Sequence, residues 1–430
     1  MATKTQHPRN NEAAAAHTSR GKVAFASFPR FLHGVTSATC AISAISVSLS
    51  LAVAVPRVSA AEVSITTLTG QEMSGDLENI EAGSAHLKSG GTVAVSEIRR
   101  LHFPGSTSRP TGVETVFLSG GSILTGSAVV LNDEENIALQ LAVGGSGAFP
   151  IDAVRGVRLL PTRKDSLFER QLAGEGDAEN DRVYVPHETE LRELAGVLES
   201  LGSEQIRIDR DGAVVELPRS KVYGVLFANA VEPDVESLNA IVQTTDGSTF
   251  RGSISGFRND TLQLTMVEST KVELPARHIA SIRLQPPNLV YASDLTPKSS
   301  VVQPVLAPAR DWQRDLNITG SPLRLGSRIF EKGVGMAGGT QITFENPGNF
   351  KTFTALVGID SERGDRGDCE AVVTGGGKEL ARHRLRGNAA AIAINVDVSL
   401  APEIVLTVEP GEDYDLSDHV NWGDAAFLKK

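Results

Sequence analysis

Four carboxylates, Asp413, Asp415, Asp418 and Asp424, crowd around His419, Asn421 and Trp422 near the C-terminus. Such a set suits two kinds of chemistry. Carboxylate, amide and imidazole groups hydrogen-bond hydroxyls, and an indole ring covers the apolar C–H side of a pyranose. Oxygen ligands gathered in a loop also suit calcium. His419, Asn421, Trp422 and Asp424 are therefore the candidate sugar-binding residues. In an extended strand His419 and Asn421 share one face, while Trp422 shares the other with Val420 and Asp424. The pairing with Val420 leaves a core role open for Trp422, and a structural role stays open for His419 and Asn421. A second acidic loop holds Asp360, Glu362, Asp365 and Asp368, interleaved with Arg363 and Arg366. Asp360, Asp365 and Asp418 are the candidate metal ligands, with calcium as the cofactor. The spacing matches no EF-hand loop, so solvated acidic loops and local ion pairs are the plain alternatives.

Catalysis finds little support. No Gly-x-Ser-x-Gly elbow, His-Glu-x-x-His helix or phosphate loop occurs. Acids are plentiful, but no pair stands in a glycosidase motif. Of the two cysteines, Cys40 lies in an apolar leader and Cys369 in the last domain. That count excludes a cysteine-built zinc site and an internal disulfide in a chain that has lost its leader. Cys369 reads as a buried structural thiol, and as a nucleophile only beside a base.

The chain that must position these residues has 430 residues and a net charge of −11. Residues 1–60 hold six Lys/Arg and one acid, which leaves 35 basic and 51 acidic residues beyond them. Nucleic-acid phosphates need Lys/Arg neutralisation, so no nucleic-acid partner is expected. An anionic membrane surface would need a polybasic patch, which is also missing. With 41 Gly, 5% aromatic residues and recurrent Val, Ile, Thr and Ser, the composition predicts many short strands joined by tight turns. No stretch shows sustained apolar spacing at helical period.

At the N-terminus, Arg20, Lys22 and Arg30 precede an apolar run from Ala38 to Val55. The small residues of Val58-Ser59-Ala60-Ala61 then predict cleavage after Ala60 or Ala61. Residues 1–61 are read as a signal peptide, with an uncleaved anchor as the alternative. The expected location is secreted, periplasmic or cell-surface.

One pattern then appears four times, at 62–105, 112–162, 183–230 and 237–286. Each copy has about five short alternating segments with a Gly-marked turn and a Pro- or Ser-marked step before the last. The fourth is the clearest, with Ile241 and Val242 on opposite faces, and the third the most degenerate. Gly120-Gly121 and Asp246-Gly247 are read as hairpins with primed turns. Residues 163–182 read as an acidic solvated linker with a short helix near Leu167 to Leu172. Prolines 286, 287, 297, 304 and 308 mark the boundary of a final domain, 287–430. Five short strands close most easily into a small barrel, and the copies resemble SH3-like or Sm-like barrels. Such barrels need carry no site of their own, and serve as spacers or contacts for envelope proteins.

The final domain carries ordered motifs: Tyr291-Ala292-Ser293-Asp294-Leu295, Gly333-Val334-Gly335-Met336, Val357-Gly358-Ile359-Asp360, Gly364-Asp365-Arg366-Gly367 and the stretch from Asp418 to Ala425. On these it is identified as a member of the NPCBM family of carbohydrate-binding modules. The resemblance implies a galactose-binding-like β-sandwich and a glycan partner of galactose type or similar. Ala337 departs from it, standing where the family often carries His. With four repeats ahead of this domain, the chain resembles exported proteins of planctomycete-type bacteria. The expected fold is mainly β, several small five-stranded SH3-like barrels followed by the sandwich. The expected function is an exported, non-catalytic carbohydrate-binding protein. The alternative is a structural or interaction protein of the cell envelope that binds no sugar.

Overall fold

A computed structural model describes residues 62–104, 114–132, 135–163, 166–174, 179–228, 230–231, 240–348 and 350–429. The predicted signal peptide, its cleavage positions and Cys40 lie outside these residues.

Each sequence repeat builds five antiparallel strands. The first unit has β1 (Glu62–Thr67), β2 (Glu72–Glu81), β3 (Ser84–Leu87), β4 (Thr92–Ala94) and β5 (Ile98–His102). The second has β6 (Glu114–Leu118), β7 (Ile123–Asn132), β8 (Asn136–Leu141), β9 (Ser146–Pro150) and β10 (Val154–Arg158). The third has β11 (Asp181–His187), β12 (Glu190–Leu201), β13 (Gln205–Arg210), β14 (Ala213–Pro218) and β15 (Gly224–Leu226). The fourth has β16 (Ala240–Thr244), β17 (Thr249–Arg258), β18 (Thr261–Met266), β19 (Lys271–Pro275) and β20 (Ile279–Leu284). In every unit the first strand lies between the second and the last. The third and fourth then follow on the second. The long second strand shifts register partway along, at Leu77/Asn79, Ser127/Val130, Leu198/Ser200 and Ile254/Gly256. Such a bulge bends the strand and lets it serve two layers.

The two hairpins read from glycines are present, with a different turn. Gly121 and Gly247 adopt φ of +81° and +90°, while the residues before them do not take positive φ. Leu118 closes on Ser122 and Thr244 on Ser248, which makes three-residue loops ending in a left-handed Gly.

Units join through their last strands. β5 pairs with β20 and β10 with β15, so the first unit abuts the fourth and the second the third. One connected set of buried residues runs through all four. Within the stretch expected to be a solvated linker, Ser166 caps helix α1 (Leu167–Ala173). Its Phe168 is fully buried, with ring centres 5.4 Å from Tyr184 and 5.5 Å from Tyr223.

The last domain is a two-sheet sandwich. Its strands are β21 (Leu289–Tyr291), β22 (Ser299–Val302), β23 (Gln313–Arg314), β24 (Leu323–Leu325), β25 (Arg328–Phe330), β26 (Gly333–Ala337) and β27 (Thr340–Glu345). There follow β28 (Thr352–Ile359), β29 (Asp368–Gly375), β30 (Lys378–Arg386), β31 (Ile392–Asp397), β32 (Glu403–Pro410) and β33 (His419–Leu428). One sheet runs β23-β26-β33-β28-β31, with β21 also on β33, and the other runs β22-β27-β32-β29-β30. Alternating apolar residues from both sheets, among them Val334, Phe344, Phe353, Val357, Leu406 and Trp422, fill the space between them.

Strand β33 breaks its own alternation. Asp424 takes φ of +52°, and the pairing with β28 slips between Thr354 and Leu356. Before the bulge Val420 and Trp422 face the sandwich core, and after it Ala425 and Phe427 do. Ala426 and Leu428 therefore turn outward, onto Leu68 of the first unit together with Leu289 and Tyr291.

Candidate functional site

Loops gather at one end of the sandwich. Asp360 N–H donates to the His419 carbonyl at 2.8 Å, and Gly387 N–H to the Gly367 carbonyl at 3.0 Å. Asp415, almost fully buried, accepts from the backbone N–H groups of Val305 (2.7 Å), Leu306 (2.8 Å) and Ala307 (3.0 Å). Burial opposes the Asp415 charge, yet these donors outweigh it and hold the carboxyl below its ordinary range. The loop before β33 is thereby locked to the segment after β22. Gly338 permits the contact, because a Cβ there would sit 2.9 Å from Asp415 Cβ and 3.0 Å from Asp418 Cβ.

Between these loops lies an open groove of about 800 Å³, lined by Asp365, Arg366, Gly367, Asp368, Arg386, Gly387, Glu412, Asp413, Leu416 and Ser417. Leu416 on its wall is 48% exposed, and Tyr414 in the same loop is 56% exposed. Carboxylates, guanidinium groups and a hydroxyl thus lie beside an apolar side chain. That combination can hydrogen-bond hydroxyls while covering C–H surface. Tyr414 is not among the residues singled out from the sequence. The available signal was an aromatic residue between Asp413 and Asp415, inside an acidic loop already singled out.

The predicted sugar-binding residues do not meet in this groove. Trp422 is fully buried in the core on the Val420 face, with no ring face to offer a ligand. Asn421 is buried as well. Its Nδ2 donates to the Arg324 carbonyl at 3.1 Å and to Asp360 Oδ2 at 2.6 Å. The face expected to stay open is covered by the β24–β25 hairpin, whose Phe330 lies where a Cβ on Gly423 would be, 2.6 Å away. Asp424 belongs to another contact altogether. Its carbonyl accepts from Arg99 Nη1 at 2.8 Å, and its carboxylate lies 3.5 Å from Arg99 and 3.6 Å from Arg328. His419 alone of the four remains half-buried at the loop end, opposite Ala337 of β26. Burial first, and then Arg363, Arg310 and Arg366, push its imidazole down to about 4, against Asp360.

The three predicted calcium ligands stand apart. Asp360 spends Oδ2 on Asn317 and Asn421, and Oδ1 on Glu362 N–H at 2.7 Å. Asp365 is exposed on the groove wall. Asp418 is fully buried and accepts from Asp368 N–H at 3.0 Å, while its Oδ2 has no partner. Burial chiefly, with help from Asp413, Asp415 and Asp368, pushes its carboxyl up to about 7. Among the described residues no three His, Cys, Asp or Glu side chains come together as a metal site. Hydrogen bonding within the loops engages both Asp360 oxygens and Oδ1 of Asp418. Cys369 is buried and free, and burial, then nearby carboxylates, raise its thiol well above the ordinary range.

The glycines of the Gly333-Val334-Gly335 motif have a steric cause. A Cβ on Gly333, at φ of +147°, would lie 2.2 Å from the Trp422 carbonyl oxygen, and one on Gly335 2.4 Å from that of Leu316. The geometry defines a β-sandwich with a polar groove among its end loops. Residues 288–428 match the family model described as the NPCBM/NEW2 domain. Solved structures similar to the chain include the CBM51 of a Clostridium perfringens GH95 in complex with methyl-galactose. It is 22% identical, covers 33% of this chain and 99% of that one, and has a TM-score of 0.30. Another is CBM51-2 in complex with GlcNAc with the INT domains of Clostridium perfringens ZmpB, 20% identical over 51% of this chain and 44% of that one, TM-score 0.31. The tandem CBM51 modules of the family 98 glycoside hydrolase Sp3GH98 from Streptococcus pneumoniae are 13% identical over 86% and 88%, TM-score 0.29. No curated protein matches the chain.

Proposed function

We propose that this is an exported, non-catalytic carbohydrate-binding protein whose C-terminal sandwich holds a glycan, galactose-type or similar, in the end-loop groove. The family match over residues 288–428 carries the reading. The groove supports it, because it pairs hydrogen-bonding groups with exposed Leu416, and the loop that carries Leu416 also exposes Tyr414. Leu416 on its wall and Tyr414 from the same loop cover the apolar side of a sugar ring, and Asp365, Arg366, Asp413 and Ser417 take its hydroxyls. Of the four residues expected to bind sugar, His419 alone stays half-buried at this end. The four repeat units are read as SH3-like barrels that carry the sandwich and fix its orientation. Calorimetric titration of the chain with galactose- and N-acetylhexosamine-containing oligosaccharides tests the reading. Saturable binding to one of them is expected, and no heat with any of them would end it.

A further inference from the structure

A second pocket, of about 250 Å³, lies where the first repeat unit meets the outer face of the sandwich. The first unit contributes the β1–β2 turn, with Leu68, Thr69 and Gln71. The turn is closed on itself, because Thr67 N–H donates to the Gln71 carbonyl at 2.9 Å and Gly70 N–H to the Thr67 carbonyl at 3.0 Å. The sandwich contributes Asn288, Asn395 and Leu428. Ile394 and Phe427 face the core, so Asn395 and Leu428, one residue further along their strands, face outward. Leu428 does so only because of the bulge at Asp424.

The lining suits an uncharged polyol. Leu68 and Leu428 are buried and supply apolar surface. Hydroxyls and primary amides surround them. The exposed side-chain amides of Gln71 and Asn395 make no hydrogen bond among the described residues. Asn288 crosses the seam, where its Nδ2 donates to the Ser96 carbonyl at 3.4 Å and its Oδ1 is buried with no donor. Each amide offers a donor and an acceptor together, which matches neighbouring hydroxyls. No Lys or Arg lines the pocket, so an anion finds no partner. Glu97 is its one carboxylate, and a single surface carboxylate gives a cation little. Drug-sized ligands take about 300–1,000 Å³, so this space suits one sugar unit.

We propose that this seam is a second binding site, for a single neutral hexose unit, with Gln71 and Asn395 holding it from the two sides. It shares no lining residue with the end-loop groove. One amide belongs to each partner, so the site exists only while the first unit and the sandwich are docked. Arg99 secures that docking through the Leu68 and Asp424 carbonyls. Ligand sites favour such interfaces between domains.

The test is calorimetric titration of the full chain carrying Tyr414→Ala, which strips the ring from the end loops. Galactose, glucose and N-acetylglucosamine are each offered free and as the non-reducing unit of a disaccharide, which separates a free sugar from a glycan end. Saturable binding of one of them is expected. Adding Gln71→Ala and Asn395→Ala should weaken it at least fivefold. Both residues are exposed, so the unfolding midpoint should hold. No saturable binding in the Tyr414→Ala chain, or a loss smaller than fivefold on adding the two changes, overturns the inference. Oligosaccharide binding by the unsubstituted chain would then leave the end-loop reading standing, whereas no binding of any saccharide overturns both.

Discussion

Arg99 offers the sharpest test of how the sandwich is held. It lies on β5 and is only 4% exposed. Nη1 donates to the Asp424 carbonyl at 2.8 Å and Nη2 to the Leu68 carbonyl at 2.9 Å, with the Asp424 carboxylate 3.5 Å away. The guanidinium also sits 5.8 Å from the centre of the Tyr291 ring. Arg99→Met keeps the apolar stem and removes the charge. Two carbonyls and a buried carboxylate then lose their donor, and only Arg328 at 3.6 Å remains on Asp424. Removing one partner of a buried pair costs about 3–5 kcal/mol. Because Arg328 compensates in part, the lower end, about 3 kcal/mol, is expected. The readout is specific, since both tryptophans, Trp312 and Trp422, lie in the sandwich. Urea unfolding followed by tryptophan fluorescence should show a midpoint about 1–3 M lower, given a slope of roughly 1–3 kcal/mol per molar. Adding Asp424→Asn should recover part of the loss, because the stranded charge is then gone. A midpoint shift of less than about 0.3 M, or strictly additive single and double variants, would refute the claim that this pair locks sandwich to repeat.

Two further predictions follow from the end loops and the glycine motif. Gly335→Ala should destabilise the sandwich by roughly 1–3 kcal/mol, since its Cβ would meet backbone atoms of Leu316 and Asn317. Gly174→Ala, whose nearest neighbour is 3.6 Å away, should change the same fluorescence midpoint little. Asp418 and His419 should pull the pH dependence in opposite directions. With its carboxyl raised from 3.8 to about 7, folded Asp418 keeps a proton the unfolded chain has released. Stability from this group therefore falls as pH rises across that window, by up to about 1.4 kcal/mol per pH unit. With its imidazole lowered from 6.5 to about 4, His419 makes stability fall as pH drops through that window. Asp418→Asn should expose the His419 slope alone, and His419→Gln the Asp418 slope alone, in denaturation series from pH 4 to 7.5. Three parallel curves would contradict both burials.

Much of the architecture was legible because it rests on local pattern. The alternation Val420-Asn421-Trp422 placed Trp422 with Val420, and the structure puts both in the core. The Gly121 and Gly247 hairpins could be read from residue type, though the turn geometry could not. Beyond Trp422 the pattern misled. The left-handed Asp424 inserts one residue into the pairing, reverses every later side chain on β33, and carries Asp424 to Arg99, far away in sequence. No local signal marks such a bulge, because the contact that holds it is long-range. The same holds for Asn421, which is covered by a hairpin whose own residues look like any other short strand pair. Phe168 shows it too, hidden in a charged stretch that composition assigned to solvent. Pairing of repeat one with four and two with three depends on edge complementarity, which periodicity does not encode.

The claim on which the rest depends is that the end-loop groove, with Tyr414 as its aromatic surface, is where a saccharide sits. Tyr414 is exposed and packs in no core cluster, so Tyr414→Ala should leave the unfolding midpoint unchanged. Titration of the chain and of this variant against the tightest-binding oligosaccharide measures the claim directly. A loss of about tenfold or more in affinity, in line with removal of one stacked ring, is predicted. Undiminished binding by Tyr414→Ala would place the ligand elsewhere on the molecule.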